Sequence, residues 1–183
     1  MHANVLDAAQ AFLLVVDLQE TYRDKLFEWE RTVDRCARLI RGARLLGLPI
    51  VCTEQYPKGL GHTAAEIRSV LDTAPIFEKR SLSALGNTDV QEAIEALGRR
   101  HALVCGIETH ACINQSVHDL LDAGFEVHVP EDAVSSRHER DHAAGYRKLL
   151  ASGALGGSVE STLLECLRSA DHPEFRAVQA LLK

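Results

Sequence analysis

The sequence predicts an α/β fold in which a mainly parallel sheet of about six strands is covered by helices on both faces. Three observations carry this. Short runs rich in Val, Ile and Leu, such as AFLLVVD at 11–17, are nearly continuous in apolar character, as strands buried on both faces are. These runs alternate with longer segments of helical period, so successive strands need crossover connections and come out parallel. No repeat, linker or low-complexity stretch interrupts the order, and 183 residues with 46% hydrophobic content suit one domain with a large buried core.

The first strand, 11–17, ends in an acid. WERTVDRCARLIRGARLLG then places Trp29, Val33, Cys36, Ala37, Ile40, Ala43 and Leu46 at spacings of three and four, with Gly47 as a stop and Pro49 beyond, which predicts an amphipathic helix. PIVCTE (49–54) reads as the second buried strand and PIFEK (75–79) as the third, with a short helix over 63–71 between them. VQEAIEALG (90–98) has helical period, ALVCG (102–106) is a strand, CINQSVHDLLDAG (112–124) a helix closed by Gly124, and FEVHV (125–129) a strand. A helix over 139–151 and a weak strand near 157–160 follow. The last helix is expected to open at DHPE, with Asp171 as N-cap and Glu174 three residues on, an acidic variant of the capping box.

A formal net charge of −6, with acidic and basic residues interspersed, argues against a nucleic acid or an anionic membrane as partner, since both select a basic face. A small neutral or polar molecule fits better. MHANVLDAAQ lacks a basic segment followed by an apolar one, and no apolar run approaches the roughly 18 residues that span a bilayer, so the expected location is cytoplasmic. In that reducing compartment five cysteines without a CxxC pair read as neither a disulfide framework nor a zinc knuckle.

Open parallel sheets bind ligands outside the carboxyl ends of their strands. The residues there are Asp17, Glu54, Lys79, Gly106 to Cys112, and Pro130 to Asp132. An acid, a lysine and a cysteine delivered to one sheet edge make a reaction centre. Each alone also has an ordinary reading: Asp17 as a turn cap, Lys79 as a surface charge, Cys112 as a buried thiol at a helix start. Cys105, inside ALVCG, reads as a small inert hydrophobe, as do Cys36 and Cys166 on apolar helix faces. Cys112 differs because it follows GIETHA and opens a helix, where the positive end of the helix dipole is expected to lower its pKa.

Two further motifs match weakly. HERDH (138–142) satisfies H-E-x-x-H, but it sits at a helix start amid Arg137, Arg140 and Asp141, which reads as a solvated charge cluster rather than a zinc helix. GLGHTA (59–64) imitates G-x-G-x-x-A, yet its glycines lie beyond Pro57 rather than in a tight strand-to-helix turn, so a flexible loop near the site is the better reading. A G-x-S-x-G elbow and a P-loop are both absent.

Taken together, LLVVDLQETY, TEQYPKGLG, EKRSLSAL and VCGIETHACINQSVHDLLDAGFEVHVPEDAVSSR resemble the isochorismatase-like cysteine hydrolases, over about residues 11 to 165. The resemblance implies a three-layer α/β/α sandwich and a catalytic triad of Asp17, Lys79 and Cys112. It also implies a cis peptide between Ile107 and Glu108. Nicotinamidases of this superfamily bind a metal through an Asp-x-His after the second strand, where this chain has EQYP with Tyr56 in place of the histidine, so no metal is expected. Isochorismatases proper lack the cysteine that Cys112 supplies. The chain is most similar to the isochorismatase-domain hydrolases, which implies no cofactor and leaves the substrate open.

On this reading Asp17 takes the thiol proton, Lys79 holds the carboxylate and steadies the thiolate, and the backbone N–H groups of Glu108 and Cys112 form an oxyanion hole for attack on a small amide. The Glu108 side chain would serve the loop or an interface. Gln55, Tyr56, His62 and His110 are candidate pocket residues, each equally readable as a polar loop residue. The alternative is a catalytically idle binding or assembly module of the same fold, which needs a blocked pocket. A homo-oligomer is expected, because Tyr22, Phe27 and Trp29 in YRDKLFEW read as loop aromatics that need covering.

Overall fold

The computed structural model describes residue 2 and residues 4–183. β1 (Ala11–Val16) leads to α1 (Trp29–Leu45), β2 (Ile50–Gln55), the single turn α2 (Pro57–Leu60), α3 (Ala65–Leu71) and β3 (Ile76–Lys79). α4 (Thr88–Ala96) precedes β4 (His101–Ile107), a π-helical turn at Thr109–Ile113, α5 (Asn114–Asp122) and β5 (Glu126–Pro130). The short β6 (Val134–Ser135), α6 (Glu139–Ala151), β7 (Leu155–Gly157), α7 (Val159–Leu167) and α8 (Phe175–Leu182) complete the order. The sheet strands pair in parallel in the order β3-β2-β1-β4-β5-β7, with β6 beside the end of β4. Because β1 pairs with both β2 and β4, the winding reverses there, and the crevice at their carboxyl ends is the topological switch point where such sheets bind ligands.

Alternation along β1 divides the core in two. Ala11, Leu13 and Val15 pack with Val33 and Ile40 of α1, Leu163 of α7 and Val178 of α8. Phe12, Leu14 and Val16 face Ile94 of α4, Val117 of α5 and Leu149 of α6. All six β1 residues are buried, and each large apolar side chain so placed contributes roughly 1.5–3 kcal/mol. Burial on both faces is why the run is uninterrupted in sequence. It is also why the architecture is a three-layer α/β/α sandwich.

Several expectations move. Helix α7 has no counterpart among the predicted elements, and the weak strand expected at 157–160 lies at 155–157 to make room for it. Its N-cap, Ser158, accepts from Ser161 N at 3.1 Å and donates its own N–H to Ser161 Oγ at 2.9 Å. A serine where a Glu or Gln is usual at this position hides the capping box in the sequence. Asp171 is not an N-cap. Helix α8 begins at Phe175 after Glu174, and Asp171 N donates to Ser169 Oγ at 3.0 Å in the preceding turn, because Pro173 disfavours a helical His172. The aromatics of YRDKLFEW do not form an exposed loop. Trp29 opens α1 at 2% exposure and Tyr22 packs against the core, which removes the aromatic argument for assembly. Helix α5 begins at Asn114, two residues beyond Cys112.

Gly106 allows the switch point to close. It pairs with Val16 across β1 and β4 with φ +118, and a Cβ there would meet the Val16 carbonyl oxygen at 2.1 Å. We expect Gly106→Ala to cost at least about 2 kcal/mol, read as a lowered urea midpoint. Gly47→Ala, at φ +69 with nothing within 4 Å of the added Cβ, is expected to cost about 1 kcal/mol. Equal losses at the two positions would show that close approach of the strands is not what requires Gly106.

Candidate active site

The end of β1 turns abruptly. Asp17 has φ +53, a left-handed conformation that Asp tolerates better than most residues, and Gln19 N donates to Asp17 O at 2.7 Å. The turn points the carboxylate into the switch-point crevice, where Thr53 at the end of β2 donates to Asp17 Oδ1 at 2.7 Å. Lys79 ends β3, and its Nζ stands 2.7 Å from Asp17 Oδ2, with side chains 0% and 3% exposed.

The lysine is held by more than the acid. Nζ donates to Gln55 Oε1 at 2.7 Å, Leu82 O at 3.0 Å and Ser81 O at 3.2 Å, which occupies its three protons. Asp17 Oδ2, although within ion-pair distance, accepts no well-aligned hydrogen bond among the described residues. It therefore receives the field of the ammonium while keeping its lone pairs for another donor.

Cys112 comes from the far side of the crevice. The chain leaves β4 through Gly106 and a cis peptide between Ile107 and Glu108, then makes the π-helical turn. The Glu108 carbonyl accepts from Ala111 N at 3.0 Å and Ile113 N at 3.2 Å. The Glu108 side chain secures the loop, accepting from Arg137 N at 2.9 Å and Arg137 Nε at 3.0 Å. Ser116 donates to Cys112 O at 2.7 Å and accepts from Ala84 N at 2.8 Å, which ties the cysteine turn to the segment after Lys79.

The thiol is not the low-pKa group expected from a helix start. It lies within the π turn rather than on α5, at 7% exposure. Burial and then the Asp17 carboxylate push it up to about 12, with Lys79 pulling the other way. It is protonated at neutral pH. Cys105, fully buried, is held well above its ordinary range by its neighbour Cys36 and by burial, as fits an inert core thiol.

The four candidate pocket residues separate. Gln55 spends its amide on structure: Oε1 takes Lys79, Nε2 donates to Arg80 O at 3.0 Å, and its N–H donates to Gln19 Oε1 at 2.8 Å. Tyr56 is 41% exposed with the Arg80 guanidinium 4.3 Å from its ring centroid. A cavity of about 190 Å³ lies there, lined by Tyr56, Lys58, Glu78, Lys79 and Arg80. His62, 71% exposed, sets Nδ1 2.9 Å from the buried Glu54 Oε2. Burial raises the Glu54 carboxyl, but the N–H of Thr63, His62 and the Thr63 hydroxyl outweigh it and lower its pKa. His110 Nδ1 lies 2.9 Å from Ser136 Oγ. GLGHTA ends α2 with Gly59 and Leu60 and continues as a loop tied down by Gln19, which donates to Gly61 O at 2.6 Å and Gln55 O at 3.0 Å.

Sequence reasoning missed Gln19, Thr53 and Tyr22. The Tyr22 hydroxyl is raised by burial and then by Glu108 and Cys112, with Arg137 opposing. The signal was the spacing in DLQETY, which returns Gln19 and Tyr22 toward Asp17 once the chain coils after β1. HERDH is not wholly solvated either, because His142 is 7% exposed. Among the described residues no group of three His, Cys, Asp or Glu side chains is placed to hold a metal ion, and no helix is long and apolar enough to cross a membrane.

A three-layer sandwich with polar groups gathered at its switch point is the architecture of an isochorismatase-like hydrolase. The chain belongs to that family: the isochorismatase domain matches residues 11–161. It is 37% identical over 178 residues to isochorismatase domain-containing protein 2 of Danio rerio, covering 97% of this chain and 89% of that one. The MAR1 ribonuclease of Caenorhabditis elegans superposes with TM-score 0.93 at 35% identity, covering 97% of this chain and 92% of that one. The YcaC gene product of Escherichia coli, an octameric hydrolase of unknown specificity, has TM-score 0.86 at 21% identity, covering 96% and 95%.

The two charges act oppositely on the thiol, which gives a signed expectation. Asp17→Asn removes the charge that raises it and leaves Lys79, so alkylation of Cys112 by iodoacetamide should begin roughly one pH unit lower or more. Lys79→Met should move the onset upward. Mass spectrometry of the Cys112 peptide across pH 7–11 reads both, and coincident profiles would show that neither charge reaches the sulfur.

Proposed function

We propose that the chain is a cysteine-dependent hydrolase of a small amide or related C–N bond, with Asp17, Lys79 and Cys112 as its triad. The observation that carries this is the buried Lys79–Asp17 contact, 2.7 Å at 0% and 3% exposure, set so that both charges act on one thiol. A thiol at about 12 is not ionised at rest. Its proton therefore passes to Asp17 as the S–C bond forms, rather than beforehand. The carbonyl oxygen becomes the oxyanion, held by the N–H groups of Glu108 and Cys112, where one such donor typically contributes about 3 kcal/mol. The C–N bond then breaks as Asp17 returns the proton to the leaving ammonia or amine. Water, deprotonated by the same carboxylate, attacks the thioester and releases the acid and the thiol.

Lys79 is held in place by three oxygen acceptors besides the carboxylate. Gln55 in this scheme positions Lys79, while Tyr56 and Arg80 border the cavity on the lysine side. Self-association is part of the proposal, and its support is the octameric assembly named for the YcaC relative.

A screen of small primary and secondary amides should find a substrate whose hydrolysis falls at least about 10³-fold in Cys112→Ala and Asp17→Asn. RNA belongs in the same screen, given the name of the C. elegans relative. Cys112-dependent RNA cleavage without amide turnover would replace the amide reading, and no turnover of either would favour an idle module. Light scattering at micromolar concentration should give a mass above that of one 20.1 kDa chain. The mass of a single chain would remove self-association.

A further inference from the structure

The motif HERDH and the carboxylates after β5 are not used by the proposed chemistry, yet they meet at one place. A cavity of about 440 Å³ lies at the carboxyl ends of β5 and β7, lined by Glu28, Arg31, Glu131, Asp132, Glu139 and His142, among others. It sits on the sheet edge where parallel α/β folds bind ligands, with β5 two strands away from β1, the strand that carries Asp17.

Its charges are not all spent. Arg31 Nε pairs with Glu28 Oε2 at 2.7 Å. Asp132 accepts from Val159 N at 2.8 Å and lies 3.6 Å from Arg35 Nε. Glu131 and Glu139 have no ionic partner among the described residues and line the cavity from two elements, one after β5 and one in the first turn of α6. His142 lines the same cavity at 7% exposure. Its Nδ1 is 2.9 Å from Thr109 Oγ1, whereas its Nε2 has no hydrogen-bond partner among the described residues. A largely buried ring whose second nitrogen meets no protein partner on a cavity wall is available to a ligand.

We propose that this cavity binds a small primary ammonium compound, whose N–H groups donate to His142 Nε2 and to the carboxylates of Glu131 and Glu139. Three observations select that class. The excess of carboxylates selects a cation. The absence among the described residues of a metal-holding group of three side chains, with a volume in the range of small-molecule sites, selects an organic cation over a bare metal ion. His142 then selects N–H donors. In the proposed complex the ring proton is on Nδ1, donated to Thr109 Oγ1 at 2.9 Å, so that Nε2 presents a lone pair. Burial, with Arg31 adding to it and Glu131, Glu28 and Glu139 opposing, lowers the His142 pKa and favours that neutral ring.

The site does not depend on the hydrolase reading, and its test needs no turnover. The histidine ring signals of His142, assigned by their loss in His142→Gln, would be followed by NMR while the whole protein is titrated with ethylammonium chloride. Parallel titrations use tetramethylammonium chloride, which has the charge without N–H groups, and magnesium chloride. The expected result is a saturable shift with ethylammonium and none with the other two, and an apparent Kd about tenfold weaker in Glu131→Gln and in Glu139→Gln. Both glutamates are exposed, so these variants keep the fold. No saturable shift with ethylammonium, an equal shift with tetramethylammonium or magnesium, or unchanged binding in both glutamate variants would each overturn the proposal.

Discussion

The contact between Lys79 and Asp17 constrains everything around it. Two charged groups withdrawn from water cost several kcal/mol each before any attraction is counted, so the surroundings must supply what water would have. Thr53 serves one carboxylate oxygen, and Gln55, Ser81 and Leu82 serve the ammonium. These partners sit at the ends of β2 and β3 or just beyond, so the parallel register of β1, β2 and β3 determines whether the pair can exist. Gln55 shows the cost of that arrangement. A polar side chain beside the crevice is committed to structure and is not left for a substrate.

The second constraint is the approach of β4 to β1. Gly106 admits the Val16 carbonyl where any side chain would collide. The chain beyond it is then fastened on three sides, through Arg137, Ser116 and the paired Thr109 and His142. This fastening carries Cys112 to the acid–lysine pair and buries it there. The thiol is consequently an unionised neighbour of two opposed charges. On the proposed mechanism its reactivity rests on a base within reach and not on a helix dipole.

The same edge of the sheet carries two polar regions of different character. At the switch point a cation and an anion are matched and sealed from water. Beyond β4, at the ends of β5 and β7, carboxylates outnumber cations around an open cavity. The π-helical turn links them, since Thr109 touches His142 on one side while Cys112 faces Asp17 on the other.

By itself the sequence determined the succession of buried strands and amphipathic helices, and so the parallel sheet. Two-sided burial writes an uninterrupted apolar run such as AFLLVV, and helical packing writes spacings of three and four. It also marked Asp17, Lys79 and Cys112, because residues that follow such runs must emerge at one edge. The capping of α7 escaped it, since a serine at the third helical position gives no distinctive signal. Only the tertiary structure decided that Trp29 is core, that Gln55 holds the lysine, that His142 faces a cavity, and that the Cys112 thiol is raised. Each depends on neighbours brought together from distant parts of the chain, and burial and electrostatic field are properties of that assembled neighbourhood. A linear pattern records which face of an element turns inward, but not what it meets there.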